Sequence, residues 1–312
     1  MKCLRPTKFP NAPVHVRCGQ CMPCRIMRRR EWNTKLMLEW LTWKCGVFVT
    51  LTYAPEHLPS AEFFPGGELV KKDLQKFIKR FRFNYEQKDI RYFAVGEYGS
   101  TTHRAHYHLV IFNVRPEKAE QMIKKSWTLG HSMVADLAEY NEKRLAYVLG
   151  YTIKKLTSEK DFPDNRLPEF TLMSRKPPLG SYALEPIAQR LREKNVYPSK
   201  SLTMYEEWVY HNSGLEMQRW NGLFKMKGKT YQFDRNMMKR LADLAHPTIK
   251  SSLASDEPLL KSKAQRVHEN ALHDISYLDT MSFLSSEEFI DEKKKAKKFE
   301  RQFYKNGVSQ KV

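Results

Sequence analysis

Acidic residues are too few in this chain to balance the basic ones. Its 312 residues hold 35 Asp and Glu against 54 Lys and Arg, a formal net charge of +19 at pH 7. An excess of this size points to a polyanionic partner, because each phosphate contact releases condensed counterions. A merely basic soluble protein is the plain alternative. Long apolar runs are missing too. The longest, around Val47 to Tyr53, is far too short to span a bilayer, so no membrane partner is expected. The first ten residues contain no apolar segment of the secretory kind, so no signal peptide is expected, and a cytosolic setting with reduced thiols follows. No repeat of solenoid type is present. A complete phosphate loop is also lacking. Gly228-Lys229-Thr230 resembles the end of one, but Gly222 stands one residue too early for G-x4-G-K-[ST]. ATP-driven unwinding would therefore fall to another protein. What the chain does have is a 41% apolar fraction rich in aromatics, enough for a packed core.

Only five cysteines occur, and four fall in the first stretch: Cys3, then Cys18, Cys21 and Cys24 at C-x2-C-x2-C spacing. Four thiolates suffice for a tetrahedral structural Zn²⁺, with Cys3 taken as the fourth ligand. Similar spacing serves iron–sulfur clusters, and unligated thiols in a basic arm are the bland reading. Cys45, just before an apolar strand, reads as core.

Arg25 to Lys44 predicts a basic amphipathic helix with Ile26, Trp32, Leu36 and Trp40 near one face. Val47 to Tyr53 is β-branched and aromatic, a strand ended by Ala54-Pro55. Leu69 to Phe83 places Val70, Leu74, Phe77, Ile78 and Phe81 at helical spacing. Further strands are expected at Arg91 to Val95 and Tyr107 to Asn113. Helices are expected from Pro116 through Trp127 and from about Glu139 to Leu156. Pro163, Pro168, Pro177 and Pro178 mark a loop-rich connector, and Trp208, Trp220 and Phe224 read as core of a more helical stretch beyond it. The chain thus divides into a Cys-rich basic N-terminal arm (1–45), an α+β domain (46–156), a mainly helical accessory region (157–245) and a charged tail, helical or partly disordered (246–312).

His106-Tyr107-His108 carries the chemistry. On a strand, residues i and i+2 share a face, so both imidazoles can converge on one cation. Glu97 lies just past the preceding strand and reaches the same cation if the two strands are neighbours. Two imidazoles and one carboxylate leave coordination positions open, as a catalytic site requires, and suit Mg²⁺ or Mn²⁺. Structural histidines are the alternative. On the expected helix near residue 150, Tyr147, Tyr151 and Lys154 fall at roughly 200°, 240° and 180° on a wheel counted from Leu145, opposite the apolar stripe. They share its exposed face, as nucleophiles or as packed surface tyrosines.

Three segments together, Phe48-Val49-Thr50-Leu51-Thr52-Tyr53, His106-Tyr107-His108 and Tyr147-Val148-Leu149-Gly150-Tyr151-Thr152-Ile153-Lys154, resemble the motifs of HUH endonucleases. More narrowly, the chain resembles the replication initiators of Microviridae, the small single-stranded DNA phages, in their gokushovirus branch. Cys18-Gly19-Gln20-Cys21-Met22-Pro23-Cys24-Arg25 and Ile90 to Gly99 fit that branch as well. The resemblance covers about residues 1–156. It implies an antiparallel sheet with flanking helices (RRM/ferredoxin-like), a metal held by Glu97, His106 and His108, and Tyr147 and Tyr151 as paired nucleophiles. It implies nicking of single-stranded DNA at a phage replication origin through a 5′-phosphotyrosine, with rolling-circle initiation and termination in the host bacterial cytoplasm. A host helicase and DNA polymerase would be the partners. Relatives carry a lysine three residues after each tyrosine. Here only Tyr151 does, through Lys154, and Tyr151 is expected to be the better activated. A transposase or plasmid mobilisation nuclease would share the chemistry, and a non-catalytic nucleic-acid-binding protein would need only the basic helices.

Overall fold

A computed structural model of the protein describes residues 3–8, 15–60, 62–87, 89–99, 101–137, 166–199, 218–226 and 229–247. The chain forms two compact units, one spanning Trp32–Ala183 and the other combining Met1–Glu31 with Leu184–Val312. In chain order the elements begin with strands Thr7–Lys8 (β1) and His15–Val16 (β2) and helix Met22–Trp43 (α1). Gly46–Tyr53 (β3), Lys71–Tyr85 (α2), Arg91–Tyr98 (β4), Ala105–Phe112 (β5), Pro116–Ser126 (α3), Gly130–Asp136 (β6) and Phe170–Met173 (β7) follow. Then come Leu184–Glu193 (α4), Val196–Pro198 (β8), Gln218–Trp220 (β9), Leu223–Met226 (β10), Lys229–Gln232 (β11) and Arg235–Ala245 (α5).

Five of these strands form one antiparallel sheet in the order β6-β3-β5-β4-β7. Alternation along β3 sorts its faces: Val47, Val49, Leu51 and Tyr53 are buried, while Phe48, Thr50 and Thr52 are half-buried. The buried face packs on α2 through Leu74, Phe77, Ile78 and Phe81 and on α3 through Ala119 and Ile123. Each large side chain so buried contributes about 1.5–3 kcal/mol. Helix α2 stops where Glu86 turns left-handed and returns its N–H to the Arg82 carbonyl. The opposite face meets α1, where Trp32 packs on Phe93 with ring centroids 5.0 Å apart. There Glu39 receives Arg91 Nε at 3.0 Å. Helices therefore flank the sheet, and the fold is the α+β arrangement expected.

Three details differ from expectation. Strand β4 continues through Tyr98 instead of ending at Val95, which puts Glu97 inside the ladder. Strands β6 and β7 are additional, and β7 comes from the segment whose prolines suggest a connector. Both are sheet edges with many half-exposed residues, so their composition carries little alternation, and pairing with β3 and β4 specifies them. The unit containing Leu184 onward is mixed rather than mainly helical among its described residues. Alongside α4 and α5 it has the parallel pair β8–β9 and the hairpin β10–β11. Strands this short are invisible to periodicity. Phe233 packs on Trp220 and Phe224 there, as aromatic core. Helix α5 is capped by Asp234, whose side chain accepts from Met237 N–H at 2.8 Å. The expected helix from about Glu139 to Leu156, Trp208 and the tail beyond 247 lie outside the described residues.

Candidate metal centre on the central strands

Register builds the centre. Glu97 on β4 stands directly opposite His106 on β5, and His108, two residues along, shares their face. Glu97 Oε1 lies 2.7 Å from His106 Nε2 and 3.0 Å from His108 Nε2. One ligand atom from each residue lies within 4.8 Å of the others, close enough to hold one metal ion. Glu97 and His108 are buried, whereas the His106 side chain keeps 17% of its surface exposed, so the centre opens to solvent on that side.

The far ring nitrogens are fixed as well. His106 Nδ1 donates to the Arg104 carbonyl at 2.8 Å, and His108 Nδ1 lies 3.0 Å from Thr50 Oγ1 on β3. A carbonyl only accepts, so the His106 proton sits on Nδ1 and a neutral ring turns its Nε2 lone pair toward the Glu97 carboxylate. Two acceptors at 2.7 Å need a positive charge between them, either a second proton or a metal. Outer partners that fix the tautomer in this way are what metal-ligating histidines require. Burial alone would raise the Glu97 carboxyl, but hydrogen bonds and charge from the two imidazoles bring it down to about 2. The donor set of two imidazoles and one carboxylate with room for further ligands fits a catalytic divalent ion. Thr50 is a site residue that sequence reasoning misses, since the pairing of β3 with β5 is non-local and no spacing in the chain reveals it.

Close backbone approach supports the start of β5. The Gly66 carbonyl accepts from Ala105 N–H at 2.8 Å, and a Cβ on Gly66 would clash with the His103 carbonyl oxygen. Tyr107, between the histidines, points to the opposite face, where its hydroxyl lies 2.7 Å from that of Tyr53 and accepts from Val70 N–H at 2.9 Å. Burial pushes Tyr107 up to about 12, so neither its position nor its acidity suits a nucleophile. Tyr147, Tyr151 and Lys154 lie outside the described residues.

Cys3, Cys18, Cys21 and Cys24 also come together, with all four Sγ atoms within 4.8 Å of one another. Burial opposes ionisation of Cys18, yet N–H groups of Cys21 and Gln20 bring its thiol down to about 7. Burial pushes Cys24 well above the usual thiol range. Cys45 is half-buried and stands apart from this group. No helix among the described residues is long and apolar enough to cross a membrane.

A family model for the replication-associated protein ORF2 matches residues 46–156, the segment that holds β3 through β6 and the centre. The replication-associated protein VP4 of Bdellovibrio phage phiMH2K is 26% identical, over 73% of this chain and 78% of its own. The replication-associated protein ORF2 of Spiroplasma virus 4 is 27% identical, over 73% and 69%. The replication-associated protein ORF4 of Chlamydia phage 1 is 23% identical, over 48% and 40%. No solved structure gives a significant match. Through residues 46–156 and these phage relatives, the chain belongs to the ORF2 family of replication-associated proteins.

Proposed function

We propose that the protein initiates and terminates rolling-circle replication of a phage genome by nicking and rejoining single-stranded DNA. The observation that carries this reading is the convergence of Glu97, His106 and His108 on one face of the sheet, in a chain related to phage replication-associated proteins. Mg²⁺ or Mn²⁺ held there would polarise a scissile phosphate and stabilise the charge that develops on it. Glu97 and the two imidazoles supply three ligands, and Arg104 and Thr50 hold the imidazoles in orientation. Beside the centre, register puts His131 of β6 opposite Thr52 and Met133 opposite Thr50, on the face that carries His106 and His108. Met133 is 71% exposed, an accessible surface along which a nucleic-acid strand can lie. The net charge of +19 supplies affinity for its phosphates.

Tyr147 and Tyr151 are the proposed nucleophiles. A phenol has a pKa near 10, and the Lys154 ammonium would stabilise the phenolate beside Tyr151. Attack on phosphorus forms a 5′-phosphotyrosine and breaks the bond to the 3′-oxygen, which leaves as a hydroxyl that a host polymerase can extend. The covalent link conserves the phosphodiester, so rejoining needs no ATP. The second tyrosine would cut the regenerated origin, and the freed 3′-hydroxyl would close the circle. Unwinding would fall to a host helicase, in the bacterial cytoplasm. A transposase or mobilisation nuclease would use the same chemistry, but the names of the relatives favour replication.

Cleavage of single-stranded oligonucleotides tiling the genome that encodes the chain, with Mn²⁺ present, tests the reading. Loss of about 3 kcal/mol of charge stabilisation corresponds to at least about a hundredfold slower nicking in the His106→Ala/His108→Ala variant. Normal nicking by that variant would overturn the proposal.

A further inference from the structure

Nicking has no use for the four N-terminal cysteines, yet their arrangement is specific. Cys3 Sγ lies 3.6 Å from Cys18 Sγ and 3.8 Å from Cys21 Sγ, and Cys21 Sγ lies 3.4 Å from Cys24 Sγ. A tetrahedral ion with zinc–sulfur bonds of about 2.3 Å sets its sulfurs about 3.8 Å apart, so these spacings are those of a single four-coordinate ion. All five cysteines are free thiols, and no pair is joined as a disulfide.

The surrounding backbone is arranged for anionic sulfur. Gln20 N–H and Cys21 N–H reach Cys18 Sγ at 3.4 and 3.3 Å. Cys18 N–H reaches Cys3 Sγ at 3.3 Å, and Leu4 N–H reaches Cys21 Sγ at 3.4 Å. Gly19 makes the first pair possible with φ of +72°, a conformation that residues with a Cβ adopt at a cost. Cys24 lies in the first turn of α1, where the unpaired N–H groups of a helix start favour thiolate. Arg5, Arg17, Arg25 and Arg28 in the same stretch offset the negative charge of four thiolates around a divalent ion.

Little else fastens this segment. Strands β1 and β2 pair over only two residues each, too short to be stable unaided. A metal cross-link closing the long gap between Cys3 and Cys18 onto the start of α1 supplies what a small core cannot. We propose that Cys3, Cys18, Cys21 and Cys24 bind one zinc ion in a closed structural site, distinct from the histidine–carboxylate centre. The donor set is all thiolate and leaves no position for substrate, which suits zinc as a fixed cross-link. This proposal does not depend on the nuclease reading.

The test uses full-length protein purified with reductant and no added metal, as wild type and as His106→Ala/His108→Ala. Elemental analysis should find one zinc per chain in both, with four of five thiols protected from a thiol reagent until a chelator is added. Cys18→Ser, at a half-buried position, should lower zinc content at least tenfold, whereas Cys45→Ser should keep it. If Cys18→Ser does not fold, Co²⁺ refilling of the wild type decides instead: strong thiolate-to-metal absorption with tetrahedral bands is expected. Folded protein lacking zinc with freely reactive thiols, iron in place of zinc, or zinc lost only from the histidine variant would each overturn the proposal.

Discussion

Replacing Glu39 by glutamine probes how the sheet is clamped to α1. The Glu39 side chain is fully buried and accepts at Oε1 from Arg91 Nε at 3.0 Å and Trp43 Nε1 at 2.8 Å. Its Oε2 accepts from Gly180 N–H at 2.6 Å. Glutamine keeps one oxygen and turns an amide NH₂ toward one of these donors, so at least one contact becomes donor against donor. The larger loss is electrostatic. Arg91 is 5% exposed and would keep only the Pro177 carbonyl, at 2.6 Å, among these partners. A lost neutral hydrogen bond costs about 1 kcal/mol, but a buried charge stripped of its partner costs about 3–5 kcal/mol, so the second effect decides. With a urea slope near 2 kcal/mol per molar, the midpoint should fall by roughly 2 M, followed by fluorescence of the α1 tryptophans. Glu39→Leu/Arg91→Met removes both charges and should lose less than the sum of its single variants by about 2 kcal/mol or more. A midpoint shift below about 0.5 M for Glu39→Gln, or strict additivity in the double variant, would refute the reasoning.

Acid should destabilise the metal-free protein through Glu97. Its carboxyl is held at about 2 in the fold against about 4.3 when unfolded, so the contribution, about 3 kcal/mol, is complete above about pH 4.3 and is lost as pH falls through 2. Urea midpoints in chelator between about pH 5 and pH 2.5 should show that slope, and Glu97→Gln should flatten it. Thr50→Val removes the hydroxyl beside His108 Nδ1 and should weaken Mn²⁺ binding about 10–100-fold by calorimetry, without changing stability to urea by more than about 1 kcal/mol. Gly66→Ala sets a Cβ against the His103 carbonyl, so the loop or β5 must shift, and stability should fall by about 1–3 kcal/mol. An unchanged midpoint would show that the contact relaxes freely.

Central strands were legible in the chain because β3 and β5 are long and apolar with a period of two, and His106 and His108 share a face for the same reason. Glu97 was legible as a residue but not as a strand position, since Gly96 interrupts the β pattern before it. Gly96 is needed there: a Cβ would crowd the Phe170 ring at 3.0 Å and Leu69 at 3.2 Å. Strand β7, which brings Phe170, has prolines on both sides and few residues, so its local signal reads as loop. Thr50 escaped because register is set by pairing across some sixty residues rather than by any local pattern. The cysteine group was readable from spacing alone, but the place of Cys3 depends on the chain doubling back through β1 and β2.

Mass spectrometry of the covalent adduct addresses the proposed chemistry most directly. Full-length protein incubated with Mn²⁺ and a cleavable single-stranded oligonucleotide should yield a denaturant-stable adduct whose peptide carries a 5′-nucleotide on Tyr147 or Tyr151. The Tyr147→Phe/Tyr151→Phe variant should form none. An adduct on any other residue, or one that persists in that double variant, would contradict the account.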